Sequence, residues 1–276
     1  MIVAREKARD RVRGGGVDRL SAEARLAFSS LLSSLTIANE SIRRGTGFAY
    51  DHAYAHADVA QILRESLLHS PHAPAALRVA RLYLASDILF NCGQAIRSST
   101  HYLLSIQAFL PEVFLDLGAL LRSGSLGRMS AKQLEDRCRA LLGVWSEWSL
   151  FTDTYLAGLE AQLLMSDREL QRLLSCIQED EDAAGASAGG GAEYENAVRR
   201  ARSFGVPVAP SSTLYDLVRR TEHNERFHAT TRGGVTRQRH ITAAAGRRLS
   251  PTRTRRGVML IRISINSRRH TACVGK

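Results

Sequence analysis

Cysteine, proline, lysine and long apolar runs are all scarce in this 276-residue sequence, and the scarcity excludes several classes of structure. The four cysteines lie far apart, so they fit neither a disulfide framework nor a CxxC metal site, and they indicate a reducing compartment. No uninterrupted apolar run reaches the ~18 residues of a membrane span, so the sequence predicts no transmembrane helix. A single proline, Pro111, lies between Pro74 and Pro207, and we expect it to open a helix over residues 112–122.

Acidic residues are missing from the end of the chain. Residues 21–182 carry 14 basic and 19 acidic side chains, a net charge of −5, whereas residues 183–276 carry 18 against 5. No acid follows Glu225. This basic tail has two interpretations. It could contact nucleic acid without sequence preference, or it could be readthrough sequence with no selected function, which the sequence slightly favours.

Hydrophobic spacing divides the chain into five segments. Apolar residues recur at intervals of three and four through residues 21–178, which predicts an all-α domain of about eight helices. A basic segment, residues 1–20, precedes it. An acidic and Gly/Ala-rich linker is predicted for residues 179–192, a short helix–turn–helix element for residues 193–222, and a basic disordered tail for residues 223–276.

The motifs of the common enzyme and metal sites are absent from the sequence. There is no nucleotide-binding glycine loop, no GxSxG and no HExxH motif. His52 and His56 are four residues apart, which could supply half of a metal site, but no Cys or acidic ligand set accompanies them. The sequence therefore predicts no enzyme, no cofactor and no metal.

One apolar helix carries a polar stripe. Tyr83, Asp87 and Asn91 are spaced at four and four, so they share one face of the helix predicted over residues 77–90 and just beyond. Buried polar groups are normally hydrogen-bonded, so these three side chains require partners. A network to neighbouring helices and a bound ligand are equally favoured by the spacing alone.

Three blocks around this stripe resemble a known family. Residues 81–91 (RLYLASDILFN) resemble the fourth-helix signature of the CTD-interacting domain, also called the CID or RPR domain. Residues 137–148 (RCRALLGVWSEW) are similar to its seventh helix, and residues 41–67 to its second and third. Within the family, the likeness is greatest to the SURP-motif-containing, SR-related splicing proteins associated with the U2 snRNP.

The resemblance implies a right-handed superhelix of about eight helices, as in CID and VHS domains, that binds the phosphorylated heptad tail of RNA polymerase II. It implies that Asp87 accepts a hydrogen bond from the peptide tyrosine hydroxyl, a role that suits a carboxylate. Asn91 and Ser86 would face the peptide backbone or a phosphate, and Tyr83 would line the groove.

The residue that would bind a phosphate group of the peptide is less clear from the sequence. Family members that bind phosphoserine have an arginine where this sequence has Ala140. Arg139 and Arg137 are the nearby candidates, although they point in other directions on an ideal helix, and pairing with Glu135 or Asp136 is an equal alternative. Of the two tryptophans in the block, Trp145 is predicted in the core and Trp148 in the core or at the edge of the groove.

The resemblance predicts a nuclear adaptor that binds the polymerase tail and couples transcription to pre-mRNA splicing, with splicing factors of the U2 snRNP as further partners and no membrane contact. Three alternatives stay open. One is an RNA-binding splicing factor that acts through its basic tails. The others are a trafficking adaptor of the VHS or ENTH type and a helical scaffold without a ligand. The negative charge of residues 21–182 argues mildly against a basic membrane-facing patch.

Overall fold

The structure, a computed structural model, describes residues 19–68, 73–92, 99–184 and 191–242. Within these ranges the chain forms ten α helices and one 3-10 helix, Ala53–Ala55, and it has no strand, so the all-α prediction is confirmed. The helices are α1 Ala22–Ser33, α2 Asn39–Asp51, α3 His56–Leu68, α4 Ala75–Asn91, α5 Ser99–Arg122, α6 Arg128–Glu147, α7 Asp153–Leu164, α8 Asp167–Ala184, α9 Gly191–Ser203 and α10 Leu214–Thr242.

Helix α4 is central to the domain because it packs against α2, α3, α5 and α6. Ten of its 17 residues are buried, as the apolar composition of the segment predicts. Contacts divide the chain into two units, residues 1–236 and 237–276, and all packing described below lies in the first.

Two buried arginines tie α4 to its neighbours. Arg81 is 5% exposed, and it donates from Nε to the Leu32 carbonyl at 3.2 Å and from Nη1 to the Ser66 carbonyl. These carbonyls belong to the last turns of α1 and α3, where carbonyl groups lack partners within their own helix. Arg78, 4% exposed, pairs with Asp116 Oδ2 on α5 at 2.5 Å.

Helix α5 differs from its prediction in one respect. Pro111 lies inside a single 24-residue helix and does not open a shorter one. A proline in a helix interior lacks one backbone hydrogen bond, but the buried residues before and after it hold both halves in the core. By length and composition, His101–Arg122 could also cross a membrane, the one such segment among the described residues. Nearly half of the span is buried, as in the core helix of a packed domain.

The predicted linker is largely helical in the structure. Helix α8 continues through the acidic run to Ala184, and two of its carboxylates have partners at the start of α10. Asp180 pairs with Arg219, and Glu181 accepts a hydrogen bond from Thr213 at 2.6 Å. Residues 185–190 of the linker lie outside the described residues.

The helix–turn–helix element corresponds to α9 and the start of α10, but α10 does not end where the disordered tail was predicted to begin. It continues to Thr242, and Asn224 is fully buried. Asn224 donates to the Phe204 carbonyl at 2.8 Å and accepts from Gln162 on α7 at 3.2 Å. Only glycine fits at 158, where an added Cβ would lie 1.8 Å from the Phe204 carbonyl oxygen. Residues 1–18 of the predicted basic segment and residues 243–276 of the predicted tail lie outside the described residues.

We expect Arg81→Met to lower the free energy of unfolding by about 3 kcal/mol, because a hydrogen bond to a charged group contributes roughly 1.5–3 kcal/mol and two buried carbonyls would lose their donor. Guanidinium unfolding followed by circular dichroism measures this loss. Arg44→Met is the matched control: Arg44 is exposed and has no carboxylate partner within the described residues, so the change should be within about 0.5 kcal/mol. Equal stability of the two variants would contradict the role of Arg81.

Candidate functional site

Tyr83, Asp87 and Asn91, which we call the α4 site, lie on the side of α4 that faces α2 and α6 and is not covered by the core. All three side chains are half-buried, whereas the intervening Leu84, Ala85 and Ile88 are fully buried. The stripe therefore lies at a surface of the domain. Its members keep contact with neighbouring helices and are accessible to a ligand as well.

Asp87 is held by α2. Thr46 Oγ1 donates to Asp87 Oδ2 at 2.6 Å, and Asp87 Oδ1 makes no hydrogen bond within the described residues. Burial raises the pKa of the Asp87 carboxyl, while the Thr46 hydrogen bond and the positive charge of Arg43 partly offset the rise. One carboxylate oxygen is thus fixed by the protein and the other can accept a hydrogen bond from a ligand.

The other two members have different surroundings. The side-chain amide of Asn91 donates to the Asp87 carbonyl at 2.7 Å, one turn earlier, which orients the side chain along the helix. Tyr83 faces α6. Burial raises the pKa of its hydroxyl, and the charge of Arg137 opposes that effect. Arg137 is therefore a neighbour of the α4 site.

Ser86 and Trp145 do not lie at the surface. Ser86 is 0% exposed, and its hydroxyl accepts a hydrogen bond from the fully buried Trp145 Nε1 at 3.0 Å. The expectation that Ser86 faces a ligand is therefore wrong, because the residue before Asp87 is turned by about 100° into the α4–α6 interface. Trp145 is a core residue, as predicted. Trp148 is half-buried, with its ring 4.5 Å from that of Phe90.

The two candidate arginines of α6 are placed differently. Arg139 is engaged away from α4: its Nε donates to Glu160 Oε1 of α7 at 3.0 Å, and its Nη1 lies 3.7 Å from Glu135 Oε1. Arg137 is half-buried next to Tyr83, and it pairs with no carboxylate in the described part of the chain. The structure therefore brings Arg137, and not Arg139, to the α4 site. Ala140 is exposed.

Three residues of α2 were missed by the sequence reasoning. Thr46 bonds Asp87, Arg43 lies one turn before Thr46 on the same helix face, and Tyr50 donates to the Ile88 carbonyl at 2.8 Å. Their spacing of three and four is the same signal that marks Tyr83, Asp87 and Asn91. A search for a second polar stripe would have found them.

The two histidines considered as half of a metal site do not form one. His52 Nδ1 lies 2.9 Å from the Phe48 carbonyl, and the His52 ring stacks on Phe48. The His56 ring stacks on that of His101, with centroids 4.7 Å apart. Among the residues that the structure describes, no group of three His, Cys, Asp or Glu side chains could hold a metal ion.

The surroundings of Asp87 predict how a substitution affects stability. Because its pKa is raised in the folded protein, ionisation of Asp87 opposes folding, and stability falls as the pH rises through that pKa. Asp87→Asn keeps an acceptor for Thr46 but carries no charge. We expect the variant to be at least as stable as the parent at pH 7, with the difference vanishing below about pH 4, the ordinary value for Asp.

Thermal unfolding of both proteins from pH 3 to pH 8 measures this difference. Asp116→Asn is the control that should lose stability, since it removes the carboxylate that pairs with the buried Arg78 and should destabilise the protein at pH 7. A large loss of stability in Asp87→Asn at pH 7 would instead place Asp87 in a network required for folding.

Comparison with known proteins identifies the family of the helical domain. The family model for the CID domain matches residues 26–159, which include α2, α4 and α6. Among curated proteins, Protein RRC1 of Arabidopsis thaliana is 37% identical over 161 residues, which are 58% of this chain and 17% of that protein. Protein RRC1-like of the same plant is 37% identical over 140 residues, 50% of this chain and 14% of that protein.

Protein HUA2-LIKE 1 of Arabidopsis thaliana is 32% identical over 138 residues, 49% of this chain and 9% of that protein. The aligned region is thus less than a fifth of the length of each relative. No solved structure matches the chain. The family model and the helices α1–α7 agree on one conclusion: residues 26–159 are a CID domain, which is a protein-interaction domain.

Proposed function

We propose that this chain is a nuclear adaptor whose CID domain binds the phosphorylated heptad-repeat tail of RNA polymerase II at the α4 site. The observation that carries the proposal is the state of Asp87. One oxygen is held by Thr46, and the other has no partner within the described residues on an accessible side of α4. A carboxylate placed in this way is a strong acceptor for the hydroxyl of a peptide tyrosine.

The neighbouring residues have supporting roles. Tyr83 forms one wall of the site, and Asn91, oriented by its bond to the Asp87 carbonyl, faces the peptide backbone. Arg137 adds a positive charge next to Tyr83, which favours a phosphorylated ligand. Arg139 is left out of the site because Glu160 and Glu135 already neutralise it.

The finer part of the proposal is that the adaptor couples transcription to pre-mRNA splicing through factors of the U2 snRNP. It is supported by the resemblance of residues 41–67, 81–91 and 137–148 to splicing proteins of that kind. RNA binding by the basic tail is a separate prediction from charge alone, since residues 243–276 lie outside the described part of the chain.

Asp87→Asn tests the proposal. A charge-assisted hydrogen bond contributes about 1.5–3 kcal/mol, so the affinity for a two-repeat heptad peptide should fall about tenfold or more at roughly 1.4 kcal/mol per decade. Fluorescence anisotropy with the full chain and a labelled peptide measures the affinity. Asp51→Asn, an exposed aspartate at the end of α2, is the matched control and should bind as the parent does. Unchanged affinity in a folded Asp87→Asn protein would contradict the proposal.

A further inference from the structure

Arg43 is an exposed cation on α2, and its charge acts on Asp87 of the α4 site. It lies three residues before Thr46, so the two share a face of α2, and Thr46 contacts Asp87 directly at 2.6 Å. Helix α2 is held close to α4 there, since an added Cβ at Gly45 would lie 2.7 Å from Leu84 Cδ1. Arg43 therefore lies about one helical turn before the residue of α2 that bonds the Asp87 carboxylate.

The charge of Arg43 is not neutralised by a partner. No carboxylate pairs with it in the described ranges, whereas Arg25, Arg64, Arg78 and Arg139 of the same domain all have acidic partners. The positive charge of Arg43 also acts on Asp87, where it offsets part of the rise in pKa that burial causes. An exposed guanidinium without a partner is available for a ligand anion.

We propose that Arg43 is a phosphate-reading residue, which binds a phosphoserine next to the peptide tyrosine that Asp87 holds. This inference rests on the peptide-binding function proposed above and specifies which ligand the site selects. The planar guanidinium donates two parallel hydrogen bonds to phosphate oxygens, a geometry that an ammonium group cannot provide. On α6, Ala140 is uncharged and Arg139 is paired, so Arg137, next to Tyr83, is the arginine of that helix that remains at the site.

Arg43 and Arg137 act at different points of the ligand. Arg43 neighbours Asp87 from α2, whereas Arg137 neighbours Tyr83 from α6, one turn earlier on α4. A phosphate next to the bound tyrosine therefore meets Arg43, and Arg137 contributes to affinity for a phosphate further along the peptide. Peptides that carry the phosphate at different serines therefore distinguish the roles of the two arginines.

The test uses the full chain and two-repeat heptad peptides that carry no phosphate or one phosphate at each serine position in turn. The parent should bind one phosphorylated peptide at least about tenfold more tightly than the unphosphorylated peptide. Arg43→Ala should lose that preference while its affinity for the unphosphorylated peptide stays within about twofold. Arg43→Lys should recover part of the preference, because lysine restores the positive charge but cannot donate two parallel hydrogen bonds to the phosphate.

Arg44→Ala is the matched control. Arg44 is the adjacent exposed arginine, turned by about 100° on α2, and it should keep the parent's preference. Thermal unfolding of Arg43→Ala should match the parent, since the side chain is exposed and makes no ion pair in the described ranges.

Two results would overturn the inference: a parent that binds all the peptides equally, or an Arg43→Ala protein that keeps the preference, including the case in which Arg137→Ala loses it instead. Failure of the underlying function looks different. In that case no heptad peptide binds the parent, or Asp87→Asn binds every peptide as the parent does.

Discussion

The burial of the Arg81 guanidinium is the constraint on which the rest of the domain depends. A buried cation is costly unless its donors are satisfied, and here the acceptors are carbonyls from the last turns of α1 and α3. The partial negative charge at those helix ends favours a cation at the same place. Arg78 adds a second tie through Asp116 of α5. With α1, α3 and α5 held in this way, the side of α4 next to α2 and α6 is the one that carries Tyr83, Asp87 and Asn91.

Both helices next to the α4 site are joined to α4 by specific hydrogen bonds. Thr46 bonds Asp87 from α2, and Trp145 of α6 bonds Ser86. Neither bond involves the second oxygen of Asp87, so the contacts that position the site leave its acceptor available. The half-buried carboxylate is tolerated because it keeps access to solvent and lies near the charge of Arg43.

A large part of this arrangement could be predicted from the sequence. Apolar spacing predicted an all-α domain, and the four-residue spacing of Tyr83, Asp87 and Asn91 placed them on one face of a helix. The sequence did not distinguish Arg137 from Arg139, because Glu160 of α7 decides which of the two is free. It also missed the extent of α10, since the burial of Asn224 depends on Gln162, 62 residues away.

The sequence by itself determined what depends on neighbouring residues: helical periodicity, the polar stripes of α2 and α4, and the three blocks that mark a CID domain. The periodicity and the stripes are spacings of three and four residues, and the blocks are runs of neighbouring residues. The order of residues specifies both directly. The tertiary structure alone decided which side of a helix became interior. Ser86 and Asp87 are adjacent and both polar, yet one is sealed beneath Trp145 and the other reaches the surface beside Thr46. That difference depends on contacts between segments that are distant in the sequence. Only the packing of α2 and α6 on α4 brings those segments together.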